Sequence, residues 1–371
     1  MNSKYIPNLE GMALSVLGPL DPEELGITLM HEHLLVTPMP SWTRKPELET
    51  PATDAAYWDQ SLGLNNLSEA TKDYPFIRDQ YFLHDEQIAI DEVMEFRFLG
   101  GSTLVDLTSI GVGRDPDALR RIAFITGLQI IMGSGWYTKN SYNEAMSKLS
   151  VQDLANIIIN DVTIGIGSSN IRSGIIGEIG VSDPLDPAEL KVVKAAARAS
   201  RVTGAPISLH WGGRDLDKHL TADTIMNEGA DLSRTIFGHS DLIAGDLEQM
   251  IRLLNRGVYI QFDLVGRAAA HLTWGPQNRN QPWADYLWMS GSALVARAVK
   301  FLISQGFLNR ILLSQDICTK VQLKSYGGTG YSYILEEFIP HLMKTGLSEK
   351  ELHTIMVDNP RRVLTFQQPV S

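Results

Sequence analysis

"GITLMHEHLLV", residues 26–36, is an apolar run broken only near its end, where His31 and His33 flank Glu32. A run this apolar reads as a buried strand. Alternate residues of a strand share a face, so both imidazoles point the same way, a few ångströms apart. With nine histidines in 371 residues, a His-x-His pair arises readily by chance. Alone it reads as well as two satisfied rings at a strand end. It becomes a bidentate metal claw only if further ligands converge on it from elsewhere in the chain.

Short apolar runs recur along the chain at 27–34, 102–108, 128–134, 173–180, 206–211, 234–240, 257–263 and 310–316. Amphipathic stretches intervene at 85–100, 115–127, 151–165, 186–204, 220–229 and 246–257. Most open on Asp, Thr or a similar cap and several close on Gly, as capped helices do. Eight strands alternating with helices predict a (β/α)8 TIM barrel, class α/β, built as a single domain over residues 1–371. No Gly-rich phosphate loop follows the first strand, which removes the Rossmann alternative. Two connections are long, 37–85 after strand 1 and 264–291 after strand 7. Both leave the carboxyl ends of their strands, the face where barrel active sites sit.

The composition is that of an ordinary globular protein, 44% hydrophobic and 20% charged. A net charge of −11 with no basic stripe argues against nucleic-acid or anionic-membrane partners. The single cysteine, Cys318, rules out an internal disulfide framework. The opening residues lack a basic region followed by an apolar core, and no stretch is long and apolar enough to span a bilayer. A cytoplasmic location is the expectation.

The polar residues near the strand ends carry the chemistry. Strand 1 offers His31 and His33, strand 4 Glu178, strand 5 His210, strand 6 His239 and strand 8 Asp316. A carboxylate in such a place is costly unless paired. Four histidines and two carboxylates at one barrel mouth satisfy one another through shared cations, and six ligands of this mix suit two divalent ions. Glu178, on strand 4, is the natural bridge between them. Imidazole and carboxylate suit zinc, with cobalt or manganese as substitutes.

This ordered set resembles the phosphotriesterase family of the amidohydrolase superfamily. "GITLMHEHL" (26–34), "GIIGEIG" (174–180), "ISLHWG" (207–212), "TIFGHSD" (235–241) and "ILLSQD" (311–316) look like its metal-bearing strand ends. The stretch 327–366, "GGTGYSYILEEFIPHLMKTGLSEKELHTIMVDNPRRVLTF", looks like its closing segment. The resemblance implies that His31, His33 and Asp316 bind the more buried metal, that His210 and His239 bind the more exposed one, and that the protein is a homodimer. The founding organophosphate hydrolases carry a carboxylated lysine as the bridge. Glu178 in its place looks like the phosphotriesterase-related branch, which includes amide hydrolases.

The expected function is a metal-dependent hydrolase that uses metal-bound hydroxide to cleave a small-molecule amide, ester or lactone. A phosphotriester hydrolase and a non-catalytic metal-binding barrel are the alternatives. Asp316 is the expected proton shuttle. Further substrate-binding candidates are Trp136 and Tyr137 after strand 3, Arg214 beyond His210, and Arg267, with His271, after strand 7. Tyr137 is the candidate donor to the substrate oxygen; of two adjacent aromatics only one can face inward. Asp263, ending strand 7, is a candidate either to support a ligand or to touch substrate. Aromatics in the two long connections (Trp42, Tyr57, Trp58, Tyr74 and Phe76; Trp274, Trp283, Tyr286 and Trp288) point to an aromatic-lined pocket.

Overall fold

The computed structural model describes residues 8–38, 56–70, 77–211, 218–267 and 291–370. Eight strands form its centre: β1 (Ile27–Glu32), β2 (Gly101–Asp106), β3 (Gln129–Ser134), β4 (Ile175–Val181), β5 (Ile207–Trp211), β6 (Thr235–Phe237), β7 (Tyr259–Phe262) and β8 (Ile311–Leu313). Each pairs with the next in parallel, in chain order. The sheet curls until β8 lies beside β1, where the Asp316 amide donates to the His31 carbonyl (3.0 Å). Helices α1 (Glu86–Phe98), α2 (Pro116–Thr126), α3 (Val151–Thr163), α4 (Pro187–Thr203), α5 (Lys218–Asn227), α6 (Leu247–Leu254) and α7 (Ser292–Ser304) fill the crossovers. This is the expected (β/α)8 barrel. Helix α7 lies outside the stretches read as helical from the sequence.

The helix ends follow local chemistry. Asp85 accepts from the Gln87 and Ile88 amides at the start of α1, and Asp115 and Asp186 cap α2 and α4 ahead of Pro116 and Pro187. Such caps satisfy amide groups that lack a partner within the helix.

Side chains alternate along the strands between two cores. Leu29, Leu104, Ile130, Ile176, Ile207, Phe237, Ile260 and Leu313 belong to the large cluster that the helices share. Their neighbours Met30, Val105, Ile131, Ile175, Ile236, Tyr259 and Leu312 form a second cluster, contributed by seven strands and therefore inside the barrel. Ala13 and Leu20 of an amino-terminal hairpin (Ala13–Ser15 with Gly18–Leu20) join the inner cluster and close the barrel's amino end.

Simple alternation after Met30 sends His31 toward the helices. The β1–β2 register prevents this: Leu29 pairs with Leu104 and Glu32 with Asp106, three residues against two, a β-bulge that resets the phase. Strand β4 has the same device, with Ile176 opposite Ile207 and Ile179 opposite Leu209. Each bulge lies in the stretch that bears His31 or Glu178.

Of the long connection after β1, Val36 pairs with Leu83 in an antiparallel bridge and Trp58 is buried. Trp42, Tyr74 and Phe76 lie outside the described residues. So do Arg214, His271 and the four aromatics expected after β7. No helix among the described residues is long and apolar enough to cross a membrane.

Candidate metal centre and active site

Three local devices aim the six candidate ligands at one point. The bulges turn His31, His33 and Glu178 inward. His210 follows ordinary alternation along β5. His239 and Asp316 sit just past β6 and β8 with left-handed backbones, φ 49° and 47°. That conformation is uncommon outside glycine and persists where the surroundings impose it. All six side chains are buried.

Carboxylates and a hydroxyl behind the rings fix their orientation. Asp263 accepts from His31 Nδ1 through Oδ2 (2.8 Å) and from His239 Nδ1 and its backbone amide through Oδ1 (2.8 and 2.9 Å). His33 Nδ1 lies 3.0 Å from Thr108 Oγ1. These bonds turn the Nε2 atoms forward. His31 Nε2 then stands 3.5 Å from Glu178 Oε2 and 3.7 Å from Asp316 Oδ1, and His33 Nε2 lies 3.1 Å from Asp316 Oδ1 and 3.5 Å from Glu178 Oε1. His210 Nδ1 is 2.7 Å from both Glu178 Oε2 and His239 Nε2. Donor atoms of His31, His33 and Asp316, and of His31, Glu178 and His239, fall within 4.8 Å of one another in each set.

The electrostatics ask for a cation. Asp263 occupies the Nδ1 proton of His31, and His31 Nε2 is buried with no hydrogen-bond partner. Burial disfavours a charged His31, yet Glu178, Asp316 and Asp263 outweigh it and raise the pKa well above the usual value. Burial likewise opposes charge on Glu178 and Asp263, but His210 and His31 hold the first, and His239 and His31 the second, well below the carboxylate range. The result is a set of ionised carboxylates facing nitrogen atoms that keep a proton only for want of another positive charge. The residues present fit two divalent ions, with Glu178 between the two donor sets.

Other candidates fall differently. Tyr137 lines a cavity of about 330 Å³ together with His33, Glu178, His210 and Asp316, and its hydroxyl lies 2.9 Å from His210 Nε2. Trp136 does not join it; the side chain is buried in the core shared with the helices. Asp263 is fully buried behind His31 and His239, in a supporting position and not at the substrate face. Arg267 does not line the cavity. Its guanidinium donates to the Asp316 carbonyl (2.7 Å) and to Asp316 Oδ2, which corrects its expected role as a direct anion contact.

Two groups escaped the sequence reading. Glu32 accepts from Ser314 Oγ (2.7 Å) and from the Gln315 and Ile317 amides (2.8 and 3.0 Å), tying β1 to the segment that carries Asp316. Its place between the two histidines was the only signal. Val36 and Val112 line the cavity with Cys318. Burial pushes the Cys318 thiol up and keeps it neutral, in line with the expectation that it is no nucleophile.

Known proteins share this arrangement over almost the full length. The N-acetyltaurine hydrolase of Tetraodon nigroviridis is 32% identical over 361 residues, covering 97% of this chain and 99% of that protein. The N-acetyltaurine hydrolase of Homo sapiens gives the same figures. The crystal structure of a resiniferatoxin-binding protein from Rhodobacter sphaeroides superposes with a TM-score of 0.89 at 34% identity, covering 97% of each chain. The sequence model of the phosphotriesterase family matches residues 12–364, a span that begins in the amino-terminal hairpin and takes in every ligand candidate. The chain therefore belongs to the phosphotriesterase family of metal-dependent hydrolases.

Proposed function

We propose that this protein is a binuclear hydrolase that cleaves the amide bond of a small N-acyl compound. The observation that carries the reading is His31 Nε2, buried without a hydrogen bond where the donor sets of Asp316 and Glu178 meet. The N-acetyltaurine hydrolases among the relatives direct the choice of bond toward an amide.

His31, His33 and Asp316 hold one ion, and His210 and His239 the other, with Glu178 shared. When bound, two divalent ions, zinc being well suited to these donors, acidify a shared water and polarise the scissile carbonyl. Asp316 takes up the proton of the attacking water and returns it to the leaving nitrogen. Arg267 grips both the main-chain oxygen and Oδ2 of Asp316, so the carboxylate keeps one rotamer with Oδ1 toward His33. Once His210 Nδ1 serves as a ligand, its proton resides on Nε2 and is donated to the Tyr137 oxygen. The phenol proton then points into the cavity that Tyr137 lines, toward the substrate carbonyl oxygen. Burial first, then Glu178 and Asp316, raise the Tyr137 pKa well above its usual value and keep that proton in place.

The test is a panel of N-acyl amino acids and N-acyl aminosulfonates, lactones, aryl esters and phosphotriesters offered to metal-replete protein. The amides should show the highest kcat/KM. Brisk turnover of lactones or phosphotriesters with none of any amide would refute the reading.

A further inference from the structure

Eight residues line the cavity beside the donor cluster, and five of them belong to the machinery already described. The other three, Val36, Val112 and Cys318, are buried and uncharged. A wall of two isopropyl groups and a neutral thiol offers nothing to an anion. The part of a substrate that settles on it is apolar.

This wall is also stiff. Val36 exchanges two backbone hydrogen bonds with Leu83 (2.7 and 3.1 Å), and the Thr37 amide donates to the Val112 carbonyl (3.0 Å). Gly113, at φ +102°, packs so closely that a Cβ there would lie 2.5 Å from the Thr37 nitrogen. The two segments are thus fastened to each other, and a β-branched side chain has few rotamers with which to yield. The cavity of about 330 Å³ must also admit the reacting water, roughly 30 Å³, and the amide group itself. What remains suits a short chain.

We propose that Val36, Val112 and Cys318 form an acyl-chain selector that restricts hydrolysis to amides of two- and three-carbon acids. The inference rests on the amide reading above and adds which end of the substrate the cavity takes and how long that end can be. In a fitted apolar pocket one methylene changes discrimination by roughly tenfold or more.

The experiment compares the acetyl, propionyl, butyryl and hexanoyl amides of one amine, taurine, with the metal-replete enzyme. The parent should lose kcat/KM roughly tenfold per carbon beyond propionyl. Val112→Ala and Val36→Ala should raise the butyryl-to-acetyl ratio about tenfold, and Val112→Ile should lose propionyl turnover before acetyl turnover. Thermal melting confirms that each variant is folded, and the narrowing variant serves if an alanine variant is not. A second arm measures binding of acetate, butyrate and hexanoate by calorimetry, which reads the wall without turnover. Tighter binding of the short acids, relaxed in the alanine variants, supports the selector even if no amide is cleaved, in which case only the amide reading fails. The selector is overturned if hexanoyl and acetyl amides, or their acids, are handled alike. It is equally overturned if the folded variants leave the acyl ratio unchanged, or shift preference for the amine instead.

Discussion

Asp263→Asn removes a charge and, more sharply, one acceptor. Each Asp263 oxygen serves two donors: Oδ2 takes His31 Nδ1 and Gln261 Nε2, and Oδ1 takes His239 Nδ1 and the His239 amide. An asparagine amide accepts on one side only, so whichever way it turns, its NH2 faces two donors on the other. The opposed histidine must then change tautomer or rotate, and the aim of its Nε2 is lost. Removing one such supporting acceptor costs roughly 10- to 100-fold in metal affinity, or about 1.4–2.8 kcal/mol. If His31 is the ring lost, both ions feel it, because His31 belongs to both donor sets. Competition against a fluorescent chelator reads the affinity of each ion, with circular dichroism as the check on the fold. A folded Asp263→Asn protein that binds two equivalents as tightly as the parent would refute the assignment of Asp263 as the support of the centre.

Asp316→Asn should keep its circular dichroism spectrum while kcat falls by roughly 10² or more, since an amide cannot accept the water's proton; near-normal kcat in a metal-replete variant would place the shuttle elsewhere. In metal-free protein, burial opposes charge on His31, His33 and His239, but the nearby carboxylates outweigh it and raise all three above 6.5. Their contribution to stability is therefore full below that value and fades as pH climbs through the raised pKa values. Metal must displace these protons, so uptake should tighten with rising pH and release more protons near pH 6.5 than near about pH 9. Calorimetry in two buffers measures this, and a pH-independent release would contradict it. Glu178 is already a carboxylate, so recovery of activity after stripping and zinc addition should be the same with and without bicarbonate; acceleration by bicarbonate would point to a lysine bridge. Gly180→Ala sets a Cβ 2.1 Å from the Tyr137 carbonyl carbon and 2.2 Å from the Thr138 nitrogen. The resulting overpacking should cost roughly 1–3 kcal/mol in a thermal or denaturant melt, and an unchanged melt would show that this contact yields freely.

The parts of the fold visible in the sequence are those governed by local rules. Asp115-Pro116 and Gly127 mark both ends of α2 because a cap and a left-handed stop are properties of a few adjacent residues. The eight apolar runs and the polar residue near the end of each ligand-bearing run were legible for the same reason. The aim of those residues was not. The bulges before His31 and Glu178 exist only as a mismatch between neighbouring strands, and the turns at His239 and Asp316 place non-glycine residues where propensity disfavours them. Asp263 could be read as support or as contact until its two oxygens were seen against two rings from different strands. Trp136 and Tyr137 show the limit plainly: one of the pair had to face inward, and only packing decides which.

The seam between β1 and β8 sets a timetable. Gln315 follows Glu32 by 283 positions, and Asp316 reaches His31 only when that join is made. At the usual pace of translation, roughly 5–20 residues per second, the interval is about a quarter of a minute to a minute. Throughout it the nascent chain carries His31 and His33 without the carboxylate that completes their set, and for much of it without Glu178, His210 and His239. Two imidazoles alone hold a divalent ion weakly. The ribosome thus releases a chain that has had little chance to trap a stray cation, and the choice of metal falls to the finished barrel.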